Sequence, residues 1–94
     1  MINIKGIDKA ELLAALYNAA QPLGMGFVHY DPQPMAADEA REILKRQTSF
    51  DYLKGRVMKV NLAGDSMLID LYDRDNGDGK AERIINSLRT AKAS

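Results

Sequence analysis

The apolar residues of this chain follow two different spacings in turn, and this alternation most constrains its fold. In residues 12–20 and 81–88 apolar side chains recur three or four positions apart, which is typical of a helix with one buried face. In residues 57–62 they alternate with polar ones, which is typical of a half-buried strand. A chain of 94 residues that mixes both spacings has room for one small domain.

The first helix has the clearest start signal. Asp8 stands three residues before Glu11, as in an acidic capping box, and Ile7 and Leu12 occupy the positions of a hydrophobic staple. Pro22 disfavours helical geometry in the residue before it. The helix is therefore predicted to run from Asp8 to the residue that precedes the proline.

The remaining elements are predicted from local patterns of the same kind. A second helix covers residues 37–47, without a favourable capping residue, and a last helix follows Asp78, which is its predicted cap. Residues 66–72 form either the returning strand of a hairpin or a short helical turn, and Asn76-Gly77 marks a polar turn after them. Strands are predicted at residues 2–4, 27–30 and 57–62.

The resulting order of elements is β-α-β-α-β-β-α. It predicts a small α+β domain over residues 1–94, in which a short, mainly antiparallel sheet of about four strands is covered by three helices. Residues 90–94 are predicted to form a frayed tail. Because short strands leave open sheet edges, we also expect a homo-oligomer, formed through an edge or through the helices.

Composition excludes several classes of protein. The chain has no cysteine, which excludes a disulfide scaffold, a cysteine-ligated zinc site and thiol catalysis. Lys+Arg and Asp+Glu number 13 each, so the overall charge indicates neither a long nucleic acid nor a membrane surface as partner. No signal-peptide pattern opens the chain, and no apolar run approaches the roughly 18 residues that span a bilayer. We therefore expect a cytoplasmic protein.

A glycine pair precedes the second predicted strand. Gly24 and Gly26 would let a phosphate approach the backbone, but a helix-to-strand turn requires such glycines equally, and the dinucleotide and P-loop patterns are incomplete. His29 is the only histidine, and it has no metal-ligand or triad partner at the required spacing. It is either a surface residue or a donor that faces a pocket.

Charge is distributed unevenly along the chain. Residues 41–59 contain six Lys and Arg against two acidic residues, whereas residues 65–78 contain five Asp against one Arg. One interpretation is two solvated faces that attract each other. The other is a small anion pocket, because guanidinium groups bind phosphate oxygens in pairs and aromatic rings stack on bases. This pocket would be formed by Tyr52, Lys54, Arg56 and Lys59. The candidate ligand site combines it with the glycine segment and comprises Gly24, Gly26, Phe27, His29, Tyr52, Lys54 and Arg56.

No catalytic constellation is recognised in the sequence. The serines have no base in a familiar context, and the acidic loop over residues 73–79 lacks several defining positions of a calcium-binding loop. We therefore predict no catalytic residue, no metal site and no cofactor. A small hydrolase that uses His29 is the least favoured alternative.

Three segments resemble small proteins encoded by phages and prophages. They are Leu-Gly-Met-Gly-Phe at residues 23–27, Phe-Asp-Tyr-Leu-Lys-Gly-Arg-Val-Met-Lys-Val at 50–60, and Tyr-Asp-Arg-Asp-Asn-Gly at 72–77. The resemblance covers most of residues 7–88 and brings no catalytic residue with it. Compact phage proteins of this size often antagonise host defence. Some sequester nucleotide immune signals, such as cyclic ADP-ribose isomers or cyclic oligonucleotides, at subunit interfaces, and others bind a defence protein directly.

Two functions are expected from these observations. The first is non-enzymatic sequestration of a small phosphorylated or nucleotide-type ligand in the host cytoplasm, with a base stacked on an aromatic ring and the phosphates held by Arg56 and glycine N–H groups. The alternative is a protein–protein interaction module that inhibits a host defence protein through its charged faces. The acidic residues 65–78 favour this alternative, because a dense acidic patch complements a basic protein surface.

Overall fold

The computed structural model describes residues 2–25, 28–29 and 33–93. Over these ranges the chain forms four α-helices, a four-stranded sheet and a separate two-stranded hairpin. The helices are α1 (Lys9–Ala19), α2 (Ala37–Leu44), α3 (Asp70–Asn76) and α4 (Lys80–Ala93). The strands are β1 (Ile2–Asn3), β2 (Gly24–Met25), β3 (Val28–His29), β4 (Ser49–Phe50), β5 (Val60–Ala63) and β6 (Ser66–Leu68).

The main sheet has the strand order β1-β6-β5-β4, and every neighbouring pair is antiparallel. Its central hairpin, β5–β6, turns at Gly64, whose φ of 60° fits the first central position of a type II′ turn. Val60 and Leu62 are buried while Asn61 between them is exposed, so the sheet has one core-facing side. The predicted α+β class and the mainly antiparallel sheet are confirmed.

The core lies between this side of the sheet and the helices. Helix α1 contributes the largest share and packs against both α2 and α4. Helix α4 continues to Ala93, into the segment predicted as a tail. None of the helices in the described ranges combines the length and apolar character needed to cross a membrane. The buried side chains of α1 are Ala10, Leu12, Leu13, Ala14, Leu16 and Tyr17.

The predicted start of α1 is confirmed. The side chain of Asp8 accepts a hydrogen bond from the Ala10 N–H at 2.9 Å and thereby satisfies one of the free donors of the first turn. The start of α2 has no side-chain cap at Ala36, as its sequence predicted, and this helix ends at Leu44, three residues short of the predicted boundary.

The segment after β6 differs from the prediction. Strand β6 ends at Leu68, before the end of the segment 66–72 that is predicted as a strand or a helical turn. Residues 70–76 form helix α3, which extends into the predicted polar loop, so the helices number four in the described ranges instead of three. Tyr72 and Asn76 are four residues apart and both buried, so they share the core-facing side of this helix. The Asn-Gly pair ends the helix: Gly77 has a φ of 127°, and its N–H donates to the Asp73 carbonyl at 2.8 Å.

The start of α4 is capped from the preceding helix. The Asp73 carboxylate accepts hydrogen bonds from the Gly79 N–H at 3.2 Å and from the Ala81 N–H at 2.9 Å. Asp78, the predicted cap, is exposed, and its backbone carbonyl accepts a bond from Arg83 at 3.4 Å. The sequence pattern placed the cap next to the helix, whereas the turn between α3 and α4 brings a more distant carboxylate to the same N–H groups.

Replacing Asp73 by alanine is therefore expected to lower the free energy of unfolding by about 1 kcal/mol, the usual contribution of a helix-capping carboxylate. Urea denaturation of the two proteins measures the difference. Asp78→Ala is the matched control, because its exposed side chain caps nothing in the structure. Equal losses for both variants would show that Asp73 does not act as the cap.

Candidate functional site

Two segments that carry predicted site residues lie side by side. The Leu23 N–H donates to the Gly55 carbonyl at 2.7 Å, the Val57 N–H donates to the Gln21 carbonyl at 3.1 Å, and Pro22 forms an isolated β-bridge with Arg56. We call this junction of residues 20–24 with 54–58 the seam. It brings the backbone of Gly24 next to that of the Lys54–Arg56 segment.

The second half of the glycine segment is only partly described. Gly26 and Phe27 lie outside the described residues. Gly24 and His29 are paired backbone to backbone at the open end of the β2–β3 hairpin, which begins directly after the seam. The ligand roles of these four residues stay predictions.

Arg56 holds the C-terminal end of helix α1. Its Nη1 donates to the Ala20 carbonyl at 2.7 Å, and its guanidinium carbon lies 5.7 Å from the centre of the Tyr17 ring. The Tyr17 hydroxyl in turn donates to the Lys54 carbonyl at 3.3 Å. A cation at this end complements the negative end of the helix dipole and supplies a donor to a carbonyl without an intrahelical partner. Arg56 therefore has a structural role in addition to the binding role predicted for it.

Asn76 closes the seam from the side of α3. Its Nδ2 donates to the Val57 carbonyl and to the Tyr72 carbonyl, both at 3.0 Å, and its Oδ1 accepts from the Gln21 N–H at 2.6 Å. The side chain is almost completely buried. The sequence analysis missed this residue, because its only visible signal was the Asn-Gly pair, which is typical of an exposed turn.

Tyr72, on helix α3, contacts the same C-terminal end of α1. It is fully buried, and its hydroxyl donates to the Leu16 carbonyl at 2.7 Å. Burial raises the pKa of this hydroxyl well above its ordinary value, the neighbouring Asp73 carboxylate raises it further, and Arg56 works in the opposite direction. Tyr72 is therefore a neutral hydrogen-bond donor throughout the neutral pH range.

The exposed part of the candidate site lies around Tyr52. This side chain is 58% exposed, and the Lys59 Nζ lies 5.6 Å from the centre of its ring. Lys59 is also paired with the Asp75 carboxylate at 3.3 Å, and Lys54 is paired with Glu39. We call Tyr52, Lys54 and Lys59, with their two carboxylate partners, the Tyr52 face.

Lys54 has an unusual backbone conformation. Lys54 has a φ of 46° and a ψ of 43°, a left-handed conformation that is uncommon for residues other than glycine. It lies in a tight turn over Leu53–Gly55, which the Arg56 N–H closes by donating to the Leu53 carbonyl at 2.9 Å. The strained turn thus points the Lys54 carbonyl toward Tyr17, while its ammonium pairs with Glu39.

Asp75 connects the acidic segment with the basic one. Partial desolvation alone would raise the pKa of its carboxyl, but the neighbouring cations Arg74 and Lys59 outweigh it and hold the pKa below its usual value. The carboxylate therefore stays charged opposite Lys59. The Lys59–Asp75 pair therefore joins the basic residues 41–59 to the acidic residues 65–78 by electrostatic attraction.

The described residues include no group of three or more histidine, aspartate or glutamate side chains placed to hold a metal ion. Comparisons with protein-family models, with curated proteins and with solved structures give no match to this chain. The seam and the Tyr52 face are therefore the features of the molecule from which we infer a function.

Proposed function

We propose that the protein is a non-enzymatic binding protein for a small phosphorylated, nucleotide-type ligand, which it takes up at the Tyr52 face. The observation that carries this proposal is the largely exposed Tyr52 ring with the Lys59 ammonium above it. An exposed ring offers a stacking surface for a base, and a cation beside the ring offers a partner for phosphate. Lys54 adds a second cation two residues from the ring.

In the proposed complex the base stacks on Tyr52 and the phosphate oxygens replace carboxylates as the partners of the two lysines. Lys54 leaves Glu39 and Lys59 leaves Asp75, and both ammonium groups then pair with the phosphate oxygens of the ligand. The Lys54–Glu39 pair is 47% and 43% exposed, so its exchange costs little. The Lys59–Asp75 pair is only 23% and 26% exposed, so its exchange costs more, and the phosphate contacts must offset that cost. Arg56 keeps its contact with helix α1. It acts as a positioning residue, because its N–H closes the tight turn over Leu53–Gly55 and thereby fixes the backbone of Lys54.

Sequestration is the biological role that we propose for this binding. The resemblance to phage and prophage proteins implies a nucleotide immune signal of the host as the ligand and the host cytoplasm as the place of action. A protein that acts by sequestration needs affinity and abundance, and it needs no catalytic group. Base stacking and ion pairing at the Tyr52 face would supply this affinity reversibly and without a catalytic group.

Replacing Tyr52 by alanine is expected to weaken binding of the ligand about 5- to 150-fold, because stacking of one base contributes about 1–3 kcal/mol. Isothermal titration calorimetry with a panel of cyclic ADP-ribose isomers and cyclic dinucleotides measures the dissociation constants. Tyr52→Phe keeps the ring and should bind like the original protein. Leu71→Ala removes another exposed large side chain and is the control for nonspecific effects.

Binding by none of these compounds, or binding that is unchanged in Tyr52→Ala, would contradict the proposal.

Arg56→Ala is a less direct test, although the sequence analysis predicts that Arg56 contacts phosphate. Because Arg56 supports the end of α1, its loss is expected to lower the melting temperature as well as the affinity. Among the described residues, the Tyr52 side chain takes part in no hydrogen bond, and its ring contact is with Lys59.

A second candidate function is inhibition of a host defence protein through the acidic segment. Leu68 and Leu71 are 40% and 44% exposed, and the exposed Asp70 lies between them in the chain. Apolar side chains beside a carboxylate are suited to a protein surface with basic and apolar groups. Asp73 and Asp75 are poorly suited to this role, because the first caps α4 and the second is paired with Lys59.

A further inference from the structure

Helices α1 and α4 enclose a surface groove that the proposed function does not use. One part, of about 450 Å³, is lined by residues that include Glu11 and Leu88. The other part, of about 370 Å³, is lined by residues that include Ala15, Arg83 and again Leu88. Leu88 borders both parts, and we call the two together the α1–α4 groove.

The two ends of the α1–α4 groove carry opposite charges. Asp8 and Glu11 lie at one end, and Lys80 and Arg83 lie at the other. Asp8 is occupied by Arg41, at 2.9 Å, and by the cap of α1, which leaves Glu11 as the acidic group for a partner. Within the described ranges, Glu11 and Lys80 have no ion pair, and Arg83 donates only weakly to a backbone carbonyl at 3.4 Å.

The middle of the groove is apolar. Ala15 and Leu88 border it there, and Ile84 lies between Leu88 and the basic end. Ala15 is midway between Glu11 and Ala19 on α1, about 6 Å from each along the helix axis. The charges are therefore arranged around an apolar centre, with the acidic group on one side and the basic groups on the other.

We propose that the α1–α4 groove binds the same groove of a second copy of this chain, in a two-fold symmetric dimer. A two-fold axis through the apolar centre reverses one copy relative to the other. Glu11 of each copy then faces Lys80 and Arg83 of the partner subunit, and the pairing occurs twice, as in an isologous interface. The apolar centre supplies the contact area, and the charges determine the orientation.

Charge complementarity distinguishes this occupant from the others. An arrangement that places like ends together would bring Arg83 against Arg83 and Glu11 against Glu11, which repel. A small amphipathic anion would use the basic end and leave Glu11 without a role. A second copy in reversed orientation is the occupant that uses both ends.

Charge reversal with rescue tests the proposal. Sedimentation equilibrium from about 1 to about 500 µM is expected to show a dimer for the full chain, with a dissociation constant that rises about tenfold or more in Arg83→Glu and in Glu11→Arg. The double variant restores the opposite pairing and should return to within about threefold of the original constant. Glu82→Arg is the matched control, since Glu82 is exposed on α4 but does not border the groove.

A second pair of variants blocks the groove without changing charge. Ser87 borders the groove and the adjacent, exposed Asn86 does not, so Ser87→Tyr should abolish dimerisation and Asn86→Tyr should not. Circular dichroism verifies that each variant is folded. A monomer throughout the concentration range, or a dimer that responds to none of the groove variants, would overturn the proposal. Neither result bears on ligand binding at Tyr52, which lies outside the groove.

Discussion

Replacing Asn76 by alanine is expected to lower the free energy of unfolding by about 3 kcal/mol. The substitution removes three hydrogen bonds and leaves the Gln21 N–H and the Val57 carbonyl without their partner, whereas the Tyr72 carbonyl keeps its backbone bond within helix α3. A buried group that loses its partner costs about 1–3 kcal/mol, and water that enters the vacated space recovers part of the sum of these costs. Urea denaturation followed by circular dichroism measures the loss.

Two further variants make this prediction specific. Asn76→Asp keeps the shape of the side chain but directs an acceptor at the carbonyls of Val57 and Tyr72, so it should destabilise at least as much as alanine near neutral pH. Asn86→Ala changes an exposed asparagine on α4 and should stay within about 0.5 kcal/mol of the original protein. An Asn76→Ala protein with the original stability would mean that the seam does not depend on this residue.

Replacing Tyr72 by alanine is expected to cost about 3–5 kcal/mol, because it removes a fully buried aromatic side chain. A chain of this length is stable by only about 5–14 kcal/mol, so the variant retains little of its stability. Tyr72→Phe separates the hydroxyl from the ring. It should cost about 1–2 kcal/mol, since the Leu16 carbonyl loses its donor at 2.7 Å.

The hydroxyl of Tyr72 also predicts how stability depends on pH. Its pKa is raised in the folded protein by burial, so the unfolded chain, with a tyrosine pKa of about 10, loses this proton first. The protonated hydroxyl contributes its full stabilisation below about pH 10, the pKa in the unfolded chain. As the pH rises from about 10 toward the raised pKa of the folded protein, the free energy of unfolding falls by up to about 1.4 kcal/mol per pH unit.

Urea denaturation between about pH 9 and pH 11.5 tests the alkaline loss. Tyr72→Phe cannot titrate at this position, and its stability should therefore fall less steeply above pH 10 than that of the original protein. The lysines and the other tyrosines titrate in both proteins, so the difference between the two slopes isolates Tyr72. Parallel curves would contradict the buried, neutral state of this hydroxyl.

Elements whose interactions are local were predictable from the sequence. Asp8 caps a helix whose N–H groups lie two residues away, and Gly64 supplies the positive φ of a hairpin turn. The start of α1, the turn of the β5–β6 hairpin and the buried stripe of α4, including Ala81 and Ile85, therefore agree with the structure. In each case the residue and its partner occur within one turn or one hairpin of the chain.

Contacts between distant residues were not predictable in this way. Asn76 was interpreted as part of an exposed turn, because its partner Gln21 is 55 residues away in the sequence. Asp73 was placed in a loop, although the next helix starts on its carboxylate. In the candidate site, backbone hydrogen bonds join Gln21 and Leu23 to Val57 and Gly55, and the ligand roles of the glycine segment and of residues 52–56 stay predictions. The contact of Arg56 with Ala20 has no signature in the sequence around either residue.

The pairing of β1 with β6 joins two strands of the main sheet that are far apart in the sequence. Ile2 lies opposite Met67, so the first strand has no partner until two thirds of the chain have been synthesised. The β5–β6 hairpin closes across a two-residue turn and pays a small loop-closure entropy, whereas the addition of β1 closes a loop of more than sixty residues. Such high contact order slows folding. During synthesis β1 therefore leaves the ribosome before its partner β6 exists, and its Ile2 side chain has no partner strand until β6 follows.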